Sequence, residues 1–177
     1  WNHIRTPLPK VPWFKVIWFK KHTPRHAFIL WLNWLDRLPL KDKLLKWGII
    51  DQNLCNLCNL SPESVDHLFF SCPYSLKIWA AVMDCCLIGN FPSSWTQVKD
   101  WFTTNCSDDS FQAKVRKWTL AATVYSIWQE RNQRIFKDKK RNCQAILKDI
   151  TMVVRTQVFL NPEKISTVIG KNICNRW

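Results

Sequence analysis

Residues 54–73, LCNLCNLSPESVDHLFFSCP, constrain this chain more than any other stretch. They place Cys55, Cys58, His67 and Cys72 in the spacing C-x2-C-x8-H-x4-C. Structural zinc sites take four nitrogen or sulfur ligands in a tetrahedron. A C-x2-C turn grips an ion with two thiolates from one tight loop, and the second pair must come from a neighbouring element. His67 and Cys72 are five positions apart, which suits a short helix ending just before Pro73. One cysteine alone is as often a small buried hydrophobe, and one histidine alone an ordinary core or surface residue. All four around a short polar loop point instead to a single closed site for one structural Zn2+, with no coordination position left for chemistry. His22 and His26 form an H-x3-H pair about Pro24 with no nearby cysteine or acid, and read as solvated or helix-start histidines rather than a second site.

The remainder reads as helix. Glycine occurs only 3 times, too seldom for the turns of a β-rich fold. WFKVIWF suggests a helical turn, with a strand as the alternative. Thr23-Pro24 opens a helix through RHAFILWLNWLDRL, apolar nearly all round and so expected to be buried on most faces. LKDKLLKWG gives a shorter helix stopped by Gly48, and Ser61-Pro62 repeats the helix-start signal. Pro73 opens another helix with Leu76, Trp79, Ala80 and Met83 on one face; Trp95, Val98, Trp101 and Phe102 mark the next. A long helix starts at Phe111 and breaks near 139–142, and a last one carries Ile146, Ile150 and Val154 to Asn161-Pro162. The expected fold is mostly α: a helical domain with one small zinc-bound loop module, followed by a long-helix extension. Its divisions are 11–85, 86–160 and a tail, 161–177.

Lys and Arg number 26 against 13 Asp and Glu, a formal charge of +13 that suits a polyanion partner. Three thiolates around one Zn2+ add a single negative charge, so the basic character survives metallation. The densest positive run is Arg131, Arg134, Lys137, Lys139, Lys140 and Arg141, expected to meet phosphates from one helix stripe and the following turn. A solvated helix end is the bland alternative, because cations also favour helix C-termini. Lys20, Lys21 and Arg25 form a smaller cluster. Most of the 12 tryptophans sit at core spacing, whereas Trp1 and Trp177 at the ends are candidates for exposure. No apolar run approaches the ~18 residues of a spanning helix, so no membrane partner is expected. Removing three ligands from 8 cysteines leaves an odd number, which favours reduced thiols and a nuclear or cytoplasmic setting. A start at Trp1 with no visible signal peptide suggests a piece of a longer polyprotein.

The stretches WFKVIWFKKHTPRHAFILWLNWLDRLPLKDKLLKWGI and CNLCNLSPESVDHLFFSCPYSLKIW resemble the zinc-binding domain that follows the reverse transcriptase in plant non-LTR (LINE-type) retrotransposons. AATVYSIWQERNQRIF is similar to the segment that often follows it. The resemblance places Cys55, Cys58, His67 and Cys72 on the family's ligands. It implies an accessory role in binding RNA or DNA beside the reverse transcriptase domain of the same polyprotein. Leu40 departs from the threonine that relatives carry after "LP", which puts a helix cap in question but not the zinc.

Catalytic residues are expected to be none. Two-metal polymerases and nucleases need clustered carboxylates. The sole adjacent pair, Asp108-Asp109, lies in a polar linker, and glutamate occurs only at 63, 130 and 163. The expected function is therefore a non-catalytic, zinc-stabilised nucleic-acid-binding module. The alternatives are a protein-interaction scaffold that docks the polymerase and a decayed or domesticated fragment.

Overall fold

The structure, a computed structural model, describes residues 11–161 and 168–177; among them every regular element is helical, apart from one isolated β-bridge between Leu54 and Pro62. The helices are α1 (Phe14–Ile17), α2 (Pro24–Trp34), α3 (Lys41–Lys46), α4 (Pro73–Cys85), α5 (Trp95–Asn105), α6 (Phe111–Lys137), α7 (Cys143–Leu160) and α8 (Val168–Arg176), with a π-helical turn at His67–Ser71 before α4. The proline-rich start, Trp1 and Pro162 lie outside the described residues.

The starts and stops follow side-chain chemistry. Pro24 and Pro73 occupy first helical positions, where a missing N–H costs nothing. Ser94, Ser110 and Asn142 accept backbone N–H bonds at the N-termini of α5, α6 and α7. Gly48, at φ +68°, follows α3, and Asp138 ends α6 in the left-handed region at φ 47°. Ser61-Pro62, however, starts no helix: Pro62 is in the β-bridge, and Ser64 does the capping, its Oγ accepting from His67 N at 3.1 Å.

α6 is the axis of the fold. It packs on α7, α2, α4 and α8, and residues 117–124, KWTLAATV, are buried without interruption. Alanines and threonines let the neighbouring helices approach on every side. Thr119 returns its hydroxyl to Val115 O at 2.8 Å, and Lys117 reaches Asp108 O at 2.7 Å while lying over the Phe19 ring. The helix expected to be enclosed all round, α2, is instead covered mainly by α6 and α1, and its Phe28 is 49% exposed. The buried face of α4 is also rotated from expectation: Ser75, Ile78, Trp79, Val82 and Met83 point inward, and Leu76 points to solvent.

The core is one continuous cluster running from α1 to Trp177. Its densest part is aromatic: Trp34 meets Trp95 edge-on at 5.3 Å, Phe70 stacks on Trp95 at 5.8 Å and meets Trp79 at 5.0 Å. The Trp79 indole donates to Pro92 O at 2.9 Å. Trp177 is buried rather than exposed, and α8, in the segment read as a tail, is tied to α4 by an Arg176–Asp84 ion pair.

His26 lies against Tyr125 with ring centroids 4.4 Å apart. Burial, with Arg25 adding a smaller effect, lowers its pKa from 6.5 to about 4. The folded chain therefore binds fewer protons here than the unfolded chain. The stability this gives is complete above pH 6.5 and falls as the pH drops toward 4. Denaturation midpoints across that window should fall less steeply for His26→Phe than for the parent; parallel curves would show that His26 does not carry the effect.

Candidate metal centre

The first two ligands come from a tight loop. The bridge between Leu54 and Pro62 closes it, with Cys55 N donating to Ser61 O at 2.9 Å and Glu63 N to Asn53 O at 2.7 Å. Asn59 N donates to Cys55 O at 2.8 Å, and Asn59 takes a left-handed φ of 56° that its short polar side chain tolerates. Inside this turn, Leu57 N points at Cys55 Sγ and Leu60 N at Cys58 Sγ, each at 3.4 Å. Such N–H donors stabilise thiolates, the form that binds metal.

The second pair depends on the π-helical turn. Five residues along an α-helix rotate by about 500°, so His67 and Cys72 would point roughly 140° apart. Here Cys72 N bonds His67 O at 2.7 Å, an i→i+5 closure that widens the turn and brings both side chains to one side. Cys55 Sγ and Cys72 Sγ are 4.0 Å apart, and Cys58 Sγ and His67 Nε2 3.2 Å apart. All four ligand atoms lie within 4.8 Å of one another. A zinc tetrahedron with Zn–S of about 2.3 Å and Zn–N of about 2.0–2.1 Å needs ligand separations of about 3.6–3.8 Å, so the set closes on one ion with small shifts.

Protonation fits the same conclusion. The Cys55–Cys72 hydrogen bond lowers the Cys72 pKa and raises that of Cys55, so the pair shares a proton that a cation would replace. Burial lowers the His67 pKa against the opposing influence of Glu63, which keeps the imidazole neutral with a lone pair to give. Residues 1–79 match the family model described as zinc-binding in reverse transcriptase. This segment is similar to the zinc-binding domains of reverse transcriptases. No curated protein and no solved structure matches the chain. In the domain, Cys55, Cys58, His67 and Cys72 are placed for one zinc, and four protein donors complete a tetrahedron of the structural kind.

The zinc-binding domain is held by residues beyond its matched span. Arg131 of α6 donates from Nη2 to Glu63 Oε1 at 2.8 Å and from Nε to Oε2 at 3.2 Å; both side chains are buried. Glu63 Oε1 also accepts Lys41 N at 2.9 Å, so this carboxylate serves the α3 start where Leu40 supplies no side-chain cap. Arg134 donates to the loop carbonyls of Asn56 at 3.2 Å and Leu57 at 2.9 Å, and pairs with buried Glu130 at 2.8 Å. Its guanidinium lies over the Tyr74 ring. Asp66 Oδ1 accepts Trp95 N at 2.5 Å and so joins the start of α5 to the ligand turn.

The expected phosphate stripe is therefore not one surface. Arg131 and Arg134 face inward and spend their donors on the metal loop. Lys137, Lys139 and Lys140 are exposed, and no ion pair engages them among the described residues. Arg141 pairs with Asp149 at 2.7 Å. Sequence reading gave Glu63 and Glu130 no role; the i,i+4 spacing of Glu130 and Arg134 was a visible signal, but the Glu63–Arg131 pair spans 68 positions. His22 and His26 form no site: His22 Nδ1 lies 2.7 Å from Phe19 O, and His26 faces Tyr125.

Purified protein should carry one zinc per chain, and Cys58→Ser should lower that content by elemental analysis. Chelation should raise hydrogen exchange across residues 50–75 while far-ultraviolet dichroism keeps most of its helical signal, because the helices have their own core. A collapse of all helicity would contradict this separation. Arg131→Ala leaves the Glu63 carboxylate buried without its partner and should cost about 3–5 kcal/mol in denaturant titrations. An Arg131→Ala midpoint equal to the parent's would show that the pair is not a clamp.

Proposed function

We propose that the chain is a zinc-stabilised, non-catalytic accessory module of a reverse transcriptase of the non-LTR, LINE type found in plants, and that it binds RNA or DNA. It works inside the cell beside the polymerase domain of the same polyprotein. Residues 11–85 form the zinc-binding domain, 86–160 the helical extension with the basic patch, and 161–177 the tail. The single observation that carries the nucleic-acid reading is the cluster Lys137, Lys139 and Lys140, exposed and without ion pairs among the described residues, at the end of a helix that is itself clamped to the zinc loop. Fixed positive charge on a chain of net +13 suits phosphate contact. Among the described residues no helix is long and apolar enough to cross a membrane.

A second reading has its own observation. α3 buries none of its residues, and its Leu45, with Trp47 and Ile49 just after it, stands exposed, a surface suited to docking the polymerase domain as a scaffold would.

Phosphate contacts release counterions, so log affinity for a single strand falls with log salt by about 0.7 per contact. Replacing Lys137, Lys139 and Lys140 by Ala should weaken RNA binding irrespective of sequence and flatten the salt slope by about 2. Zinc content should not change. Equal affinity and slope would leave these lysines as a solvated helix end and favour the scaffold.

A further inference from the structure

Beside the lysine cluster, α2 and α6 form a groove of about 300 Å3 lined by Ile29, Tyr125, Trp128, Asn132, Phe136 and Lys137. Phe136 is 75% exposed, although α6 buries its other aromatic residues wholly or in large part. On the other side of α6, a cleft of about 460 Å3 contains Lys139 and Lys140. Gln129 and Gln133, one helical turn apart, line both depressions and form the ridge between them. An exposed aromatic ring and a set of free ammonium groups thus flank the same turn of helix. Among the described residues the amides have unused capacity: Asn132 accepts from Arg131 through Oδ1, which leaves its NH2 to donate, and Gln129 donates to the Tyr125 hydroxyl, which leaves its carbonyl to accept.

The geometry points to a base-stacking subsite for single-stranded nucleic acid: one unpaired base lies on Phe136 in this groove, and the adjoining phosphates meet Lys137, Lys139 and Lys140. This rests on the nucleic-acid reading above and adds to it the strandedness of the ligand. An apolar helix from a protein partner would fill the groove without using the amides, and a cation-fringed mouth suits a polyanion better. A duplex keeps its bases stacked on each other and has none to offer the ring. The mixed donors and acceptors suit any base edge, so the subsite is tolerant of sequence.

Fluorescence anisotropy with a labelled single-stranded RNA of about 12 nucleotides, and with a duplex of equal length, tests the subsite on the full zinc-loaded chain. Phe136→Ala should weaken single-strand binding about tenfold, leave duplex binding within about twofold, and leave the salt slope unchanged, because a stacked base releases no counterions. Phe136→Leu, which keeps apolar bulk but no ring, should behave like Phe136→Ala, and Phe136→Trp should bind like the parent. Single-strand affinity of Phe136→Ala equal to the parent's overturns the subsite; if the triple lysine variant still weakens binding, the nucleic-acid reading stands alone. Equal weakening toward single strand and duplex, or a changed slope, overturns stacking as well. A parent that binds neither RNA overturns both readings together, and loss of binding to a purified polymerase domain with RNA binding intact assigns the groove to protein docking.

Discussion

Two buried carboxylates hold this fold together. Burying a charge is expensive unless its hydrogen-bonding capacity is met on all sides. Glu63 meets this on both oxygens, receiving two nitrogens of the Arg131 guanidinium and the Lys41 amide; Glu130 meets it on Oε1 alone, which receives Arg134 and the backbone N–H of Arg141, while its Oε2 is buried with no partner among the described residues. Glu63 therefore joins elements remote in sequence, and Glu130 does so only through Arg134. Glu63 brings the exit of the zinc loop, the start of α3 and the C-terminal part of α6 to one point. Glu130 ties Arg134, which grips the loop carbonyls, to the turn that leads into α7. Two of the chain's three glutamates are used this way, which makes these ties hard to replace. Tyr74 closes the arrangement, its ring under Arg134 and its hydroxyl donating to Arg141 O at 2.8 Å.

The metal centre was legible because its information is local. The spacing of Cys55, Cys58, His67 and Cys72 names the donors, and Pro73 marks where their second element must end. What spacing does not show is the device that makes His67 and Cys72 converge. An ordinary α-helix separates residues five apart, and only the i→i+5 closure between His67 and Cys72 brings them together. Nor did the proline signal identify the right cap, since Pro62 was needed for the loop's bridge and Ser64 took the helix start.

Helix identity was legible from periodicity, as were the buried faces of α5 and α7, but which helix is enclosed was not. Hydropathy made α2 the enclosed helix, yet enclosure went to α6, whose central residues include Lys117 and four small side chains, Thr119, Ala121, Ala122 and Thr123. An enclosed helix needs small side chains so that neighbours can approach, and such residues carry little hydropathy signal. The same limit applies to charge. A run of arginines and lysines looks uniform in sequence, whereas in the fold Arg131 and Arg134 are captured by distant partners and Lys137, Lys139 and Lys140 are left to solvent. The planar five-donor fork of arginine satisfies buried carboxylates and carbonyls at once, and the strongly hydrated ammonium of lysine does not, so at the end of α6 Arg131 and Arg134 take the inward positions and Lys137 the outward one.

That division gives α6 a mechanical meaning. Arg131 and Arg134 face the zinc loop, Lys137 follows three positions later as the last residue of α6, and Lys139 and Lys140 lie just beyond it. A rigid helix advances about 1.5 Å per residue, so Lys137 stands within roughly one helical turn of Arg134, which locks the loop. Fraying at the end of α6 is opposed by Arg134 and by Arg141 N bonded to Glu130 across the turn. The zinc, through Cys55 and Cys58, shapes the loop whose carbonyls Arg134 reads. Loss of the metal should therefore loosen the position of the lysines without touching them directly, which makes the closed tetrahedron a positioning device for a charged surface several residues away rather than a participant at that surface.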